Sequence, residues 1–436
     1  MASVNEQIAH VWRRLGFGPS QSDMTATSPQ GAIADLLGRA VTTNADWQLS
    51  SMDTWDEEVA FMNRLWTLMS TSSNPLQERM AWTLMGLLVV AYTDSVQSPQ
   101  MSEHVLRLRG GCLGNYAALL SSVVQSTPMQ QYLSNVFSTA EHPNENLARE
   151  LCELFSLGVT SPRNGTKNYA ETDVKEIARS ITGYDYDWNT DQVFFDPDSW
   201  DSGDKTFFGG NRGAAKFPDV IEAVRTHPSF GFYVPRRVYR TLTGLDPDDA
   251  TLDQLSAAWG SQGDLKALIA NVVSRPEFLA DSTIRNRVKS PLELLISAIR
   301  VLGLTSLDRF SFDWSLTLMR QHPFNAPNVS GWPEGAAWLF AGQIIEWSGT
   351  ANGMCFSDDG SSSVPQDQRC HAVRHLLNQG SSQTGGDLAL EIACLYDVSA
   401  ETREAMRDYA AAGPWEIYRA CGLMQLAISC PEFLLS

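Results

Sequence analysis

The segment Asn144–Gly158, NENLARELCELFSLG, has one local structure that satisfies all of its residues. Leu147, Leu151, Leu154 and Phe155 recur at three- and four-residue spacing, the pattern of a helix with one buried stripe. Asn144, behind Pro143, is a good N-cap, and Gly158 suits the left-handed position just past a helix end. Glu145, Arg149 and Glu153 stand four apart on another face, with Glu150 three before Glu153. Two carboxylates, an arginine and Asn146 on one short helix can ligate a metal, hold a proton or pair as ions. On residue types alone the ion pairs lead.

The same periodicity runs through most of the chain and predicts an all-α protein of two interlocked helical lobes, 1–235 and 236–436. Predicted helices include 5–15, 56–71, 75–93, 102–122, 145–157, 173–182, 231–242, 290–302 and 366–378. Strand signals are few, and Val193–Phe195 can join at most a short β-hairpin. Four segments, Ser121–Leu133, Glu222–Val234, Ala270–Ala280 and Leu426–Ser436, repeat one joint. In each an apolar helix end meets a polar break, then proline in the first turn of the next helix, where its missing N–H costs nothing. Long irregular loops are expected over 185–216 and 303–365, with a shorter one at 379–386.

The 436 residues allow a large core, and 13 tryptophans with 43% hydrophobic content mark a globular chain. A net charge of −18 argues against nucleic acid as a partner and for solubility or a basic protein partner. The seven cysteines contain no CxxC pair, so no zinc finger or disulfide framework is expected, and their odd count fits a reducing compartment. The longest apolar run, Met80–Tyr92, has 13 residues and is too short to span a membrane. It reads as a central buried helix. The N-terminal MASVNEQIAHVW is too polar for a signal peptide. The chain as written therefore reads as cytoplasmic, or as exported if a leader has been removed.

Several further groups bear on function. His10, Arg13 and Arg14 share one face of the first helix, where the arginines hold the imidazole neutral beside an anion or simply pair with acidic residues such as Glu145 or Glu150. Asp185–Asp204 packs seven aspartates into twenty residues, and Asp196, Asp198, Asp201 and Asp204 are spaced to fold around one calcium-type cation. A solvated acidic loop is the simpler reading, and no EF-hand pattern is present. His371 and His375 stand four apart without the glutamate of a zinc-protease helix. Gln321–Trp338 is too rich in proline and glycine for a helix. Ala326-Pro327-Asn328 is extended and Gly331-Trp332-Pro333 turns, so Asn328, Trp332 and Trp338 are candidates for a pocket wall or for a loop sealing the core. No GxSxG, P-loop or GxGxxG pattern occurs, so neither a nucleotide nor a flavin is expected.

Six ordered motifs carry a resemblance. HVWRRLGFG (His10–Gly18), NENLARELCELFSLGV, DVKEIARSITGY (Asp173–Tyr184), DSGDKTFFG (Asp201–Gly209), RTHPSFGFYVPRRVYR (Arg225–Arg240) and APNVSGWPEGAAWL (Ala326–Leu339) follow one another along the chain. Together they resemble the bacterial proteins collected as "domain of unknown function 1800". The resemblance implies mostly exported bacterial relatives, often encoded beside a protein of the alkaline-phosphatase superfamily. It also implies a Trp-His-Asn-His-Phe run where this chain has LMGLL, Leu84–Leu88, with Met85 and Leu87 in the histidine positions. Two function classes follow. One is an enzyme, metal-assisted or not, acting on a small or peptide-borne anionic or polar substrate. Its pocket would hold His10, Arg13, Arg14, Asn144, Glu145, Asn146, Arg149 and Glu150, completed by Asp173, Arg179, Asp201, Lys205 and Trp332. The other is a non-catalytic subunit that keeps the scaffold and binds an enzymatic partner. The enzyme leads, because most polar motifs survive.

Overall fold

The computed structural model describes residues 2–43, 55–304, 307, 312–356 and 370–436. Helices dominate, joined by two small antiparallel hairpins, Tyr184–Asp187 with Gln192–Phe195 and Lys205–Phe207 with Gly210–Gly213. The first hairpin pairs Tyr184 with Phe195 and contains the expected strand residues Val193–Phe195. Among the described residues no helix is long and apolar enough to cross a membrane.

Caps explain where many helices begin. Ser3 accepts from the Glu6 N–H at the start of Val4–Leu15, and Ser290 and Glu293 form a capping box at the start of Pro291–Leu302. The four proline joints keep their form: Thr127–Tyr132 and Pro431–Leu434 restart as α-helix, Pro228–Gly231 and Pro276–Leu279 as single 3₁₀ turns. The helix expected over 145–157 is Asn146–Glu153: Glu145, not Asn144, is its N-cap and makes no side-chain cap bond, while Asn144 Oδ1 accepts from the Asn146 N–H at 2.9 Å. Its C-cap is Leu154, and Gly158 lies further on, at φ +77°, closing the turns that follow with its N–H on the Cys152 carbonyl.

Three expected elements differ. The helix predicted over 75–93 is Pro75–Met85; Gly86 ends it, and the rest of the apolar run continues as buried irregular backbone whose Tyr92 N–H reaches the Phe324 carbonyl. A continuous apolar run does not distinguish helix from buried extended chain. The single helix predicted over 102–122 is two, Ser98–Gly111 and Tyr116–Val124, with Asn115 capping the second. A Cβ on Gly111 would stand 2.6 Å from Leu119 Cδ1, so the glycine marks the close approach of the two. The loop expected over 303–365 contains the helices Phe312–Leu318 and Ala341–Phe356. The second is rich in Gly, Ser and Thr, and burial of Trp347, Ala351 and Met354, with the Trp347 indole donating to the Ile428 carbonyl, outweighs that weak propensity. The helix predicted over 366–378 is observed as His371–Gln379, and residues 366–369 lie outside those described.

One buried apolar cluster runs from Ile8 to Phe433, and the expected lobe boundary at 235 falls inside the helix Tyr233–Thr243. The N-terminal helix is held by later segments: His10 Nε2 bonds the Phe278 carbonyl at 2.9 Å, and the turn after the helix gives its Phe17 and Gly18 carbonyls to Ser297 and Arg300. Charged groups are buried in pairs. Arg109 holds Glu78 through two bonds of 2.7 and 2.8 Å, both side chains at most 3% exposed. Arg109→Met leaves that carboxylate uncompensated, and urea denaturation should register a loss of about 3–5 kcal/mol. Arg163→Met, which breaks exposed pairs with Asp249 and Asp253, should cost less than about 1 kcal/mol.

Candidate functional site

The residues named from the motifs fall into separate networks. His10 is fully buried, and burial with the neighbouring Arg14 and Arg13 pushes its pKa well below the usual histidine range, so it is neutral. Arg13 pairs with Glu6, and Arg14 donates to the Thr283 carbonyl at 3.0 Å and to Asn286 Oδ1 at 2.5 Å. This set faces residues 278–293, and no described ion pair joins it to the Arg149 set.

Arg149 bridges Glu145 at 3.0 Å and Glu171 at 2.8 Å in a half-exposed position. Asn146 is exposed, and Asn144 donates to the Ser134 carbonyl at 2.7 Å. Asp173 accepts from the backbone N–H groups of Ala170 and Phe208, at 2.7 and 2.9 Å, and so ties its helix to the Lys205–Phe207 hairpin. Arg179 continues that tie, pairing with Glu176 at 3.0 Å and Asp201 at 2.7 Å. Lys205 is fully buried against the Trp200 ring, with its ammonium on the Asp201 carbonyl. Two of the motifs, DVKEIARS and DSGDKTFFG, are thus clamped to each other.

The acidic loop is engaged by protein groups. Asp196 accepts from the Ser199 hydroxyl at 2.5 Å and the Asp198 N–H at 3.1 Å, Asp201 faces Arg179 and Lys205, and Asp198 and Asp204 are exposed. No three His, Cys, Asp or Glu side chains are gathered as a metal ion would require, among the described residues. The hairpins explain this: they turn the aspartates outward or into local turns.

A cleft of about 100 Å³ opens elsewhere, several times the space one water needs. Its wall is the predicted rigid loop. Gly331, at φ +87°, lies against Gly86, where a Cβ would meet the Gly86 carbonyl at 2.6 Å. That contact seats Trp332 on Trp82, ring centres 5.0 Å apart and nearly parallel. Trp338 also lines the cleft and is buried; Asn328 is exposed and shapes the turn through the Ser330 and Gly331 N–H groups. Leu84, Gly86 and Leu87 contribute, while Met85 is buried in the core.

Four arginines and two glutamates line this cleft, Arg79, Arg237, Arg240, Arg287, Glu293 and Glu334, in a chain of net charge −18. Glu293 sits between Arg79 and Arg287, the latter at 2.5 Å, and accepts from the Ser290 N–H at 2.8 Å. Burial opposes its charge, but the two arginines outweigh it and hold the carboxylate far below the usual range. Arg237 reaches toward the exposed Glu334 at 3.7 Å. Three buried N–H groups of lining residues have no acceptor: Arg79 Nε, Arg287 Nε and Trp332 Nε1. Buried donors are rarely left so. Of the cleft's lining residues Trp332, Trp338 and Leu87 were singled out from sequence. The other signal was Arg237 and Arg240, three apart on one helix of an acidic chain.

Two outcomes follow from these sites. A Cβ on Gly331 is both conformationally strained and blocked by backbone, so Gly331→Ala should lower stability by about 1–3 kcal/mol and change the tryptophan emission as the Trp82–Trp332 stack opens. Glu150 is the second case. Burial first, then the charge of Glu153, raises its pKa from 4.5 to about 7. Between those values the folded state holds the proton more firmly than the unfolded one, so this group lowers stability as pH rises through the window. Glu150→Gln should therefore raise the urea midpoint above wild type at about pH 8, with the gap closing by about pH 4.5. An equal gap at both pH values would contradict the assignment.

No curated protein and no solved structure matches the chain. A family model does, described as protein of unknown function (DUF1800), across residues 10–435. With nearly its whole length matched, and with motifs, clamp and cleft all inside that span, the chain belongs to the DUF1800 family.

Proposed function

We propose that the protein binds a small organic anion in the cleft between Trp332 and the Glu293-bridged arginines, and that binding rather than bond cleavage is its role. The observation that carries this is the set of three buried N–H groups without acceptors, on Arg79, Arg287 and Trp332. A carboxylate or phosphate oxygen supplies what they lack, and Arg237 and Arg240 add positive charge at the same cleft. Trp82, Trp332 and Trp338 offer apolar surface for the rest of the ligand. Glu293, held ionised by two arginines, does not suit proton transfer near neutral pH. Leu87 lines the cleft at a position where the resemblance implies a histidine.

A second reading keeps the chain an enzyme on a small or peptide-borne anionic substrate. It is favoured by Glu150, whose pKa near 7 suits a general acid or base, with Glu153 three residues away and bonded to the Tyr169 hydroxyl at 3.1 Å. Glu153 lines a broad groove with Tyr169, Asp173, Phe208 and His227.

Tryptophan fluorescence titration with benzoate and phenyl phosphate, and with neutral benzyl alcohol as control, tests the first reading. Either anion should quench saturably and the alcohol should not. Arg237→Gln, half-exposed and so compatible with folding, should weaken anion binding about tenfold, the loss of one charge-assisted bond. Arg163→Gln should have no effect. Equal binding of alcohol and anions, or no saturable binding at all, would overturn it. Turnover of a bound anion that Glu150→Gln abolishes would favour the second reading.

A further inference from the structure

The N-terminal helix, the helix Pro75–Met85 and the Arg285–Glu293 segment bring six cations together around two carboxylates. Arg13, Arg14, Arg79 and Lys289 are buried, and the side chains of Arg285 and Arg287 are only 10% and 16% exposed. Against them stand Glu6, paired with Arg13 and Arg285, and Glu293, paired with Arg79 and Arg287. Buried charge is tolerated when it is paired, and here positive charge is in excess.

A second cavity, distinct from the Trp332 cleft, lies at the edge of this set, where Arg13 and Lys289 line it. It has a volume of about 10 Å³, room for one particle of about water's size. Arg13, Lys289, Ser297, Cys394 and Phe433 are among its lining residues; every one of the lining residues is buried, and none is a carboxylate. Arg13 gives Nη2 to Glu6, but its buried Nε–H has no acceptor. The Lys289 ammonium donates to the Phe433 carbonyl at 2.7 Å and lies 4.1 Å from the centre of that ring, which leaves protons of the group to satisfy. Ser297 spends its hydroxyl proton on the Phe17 carbonyl. Cys394 does not supply the missing charge, because burial pushes its thiol up to about 12.

We propose that this cavity is a binding site for a monatomic anion of the chloride class, held between the Arg13 guanidinium and the Lys289 ammonium. A water molecule fits the same space but brings no charge. A polyatomic anion such as phosphate exceeds the volume. An anion here offsets the excess that Glu6 and Glu293 leave, and it counters the burial and the Arg13 charge that otherwise push the Lys289 ammonium toward its neutral form. The site is structural, and it does not depend on what the Trp332 cleft binds.

The test is thermal unfolding of the full chain at constant ionic strength, exchanging sodium gluconate for sodium chloride or bromide. A ligand that binds only the folded state raises the midpoint in a saturable way. Chloride and bromide should therefore each raise it by a few degrees, while gluconate, too large to enter, should not. Lys289→Met removes one of the two cations, and Ala393→Val fills the cavity from its apolar side while leaving the charges in place. Both should abolish the halide increment whatever their own midpoints. Should either variant fail to fold, anomalous diffraction from wild-type crystals grown in bromide decides, with a peak expected between Arg13 and Lys289. Identical midpoints in all three salts, or a water there and no bromide peak, would overturn the proposal.

Discussion

Glu293 is the interaction on which the rest of the structure hangs. It closes the capping box of its own helix with Ser290, and it pairs with Arg79 from the helix Pro75–Met85 and with Arg287 from the preceding segment. One carboxylate therefore sets the start of a fully buried helix, the position of the helix whose end carries Gly86, and part of the lining of the cleft. Glu6 does the same on the other side, between Arg13 and Arg285. Desolvating these ions costs several kcal/mol each, so such a network contributes little net stability. What it does provide is register: with one partner shifted, a charge is left bare in the core.

That arrangement explains what was legible in the sequence and what was not. The helix at Asn146–Glu153 was readable because its apolar stripe acts locally, but its ends were not: Glu145 replaces Asn144 as the cap, and the chain leaves the helix at Leu154, before Gly158. The loop at 326–338 was readable as rigid because proline and glycine restrict the backbone whatever surrounds them. Arg13 and Arg14 were readable as partners for acidic residues, but the expected Glu145 and Glu150 are not those partners. Glu6 and Asn286 are, and nothing local in the sequence distinguishes one carboxylate or amide from another. Arg79 and Glu293 are more than two hundred positions apart, each on an apolar segment where a charge reads as an interruption. Pairing across that separation is a tertiary fact. The two helices inside 303–365 were missed for a related reason, since Ala341–Phe356 is made helical by packing against Ile417–Ser429 and not by its own residues.

Charge distribution gives the cleft its character. The surface of a −18 chain repels anions at long range, yet salt limits that repulsion to roughly a Debye length, about 8–10 Å. Inside the cleft the nearest charges are Arg79, Arg237, Arg240 and Arg287 with Glu293 and Glu334 against them, a net excess of two positive charges, and the low-dielectric walls of Trp82, Trp332 and Trp338 limit the screening of their field. On the proposed reading, a small anion would meet a weak distant barrier and a stronger local attraction, and polyanions extending beyond the cleft would meet the acidic exterior.

The end of the helix Pro75–Met85 bears on the family comparison. On a continuing helix, positions 85 and 87 point in quite different directions, and two imidazoles there would not meet at one ion. The helix does not continue. Met85 is its last residue and Gly86 turns the chain, so the direction of residue 87 is set by irregular backbone, and Leu87 lines the cleft while Met85 stays in the core. The turn at Gly86 is thus what sets the separate directions of residues 85 and 87, and the same glycine receives Gly331 and seats Trp332. With Met85 and Leu87 at these positions, the polar lining of the cleft comes from its arginines, its glutamates and the Trp332 indole.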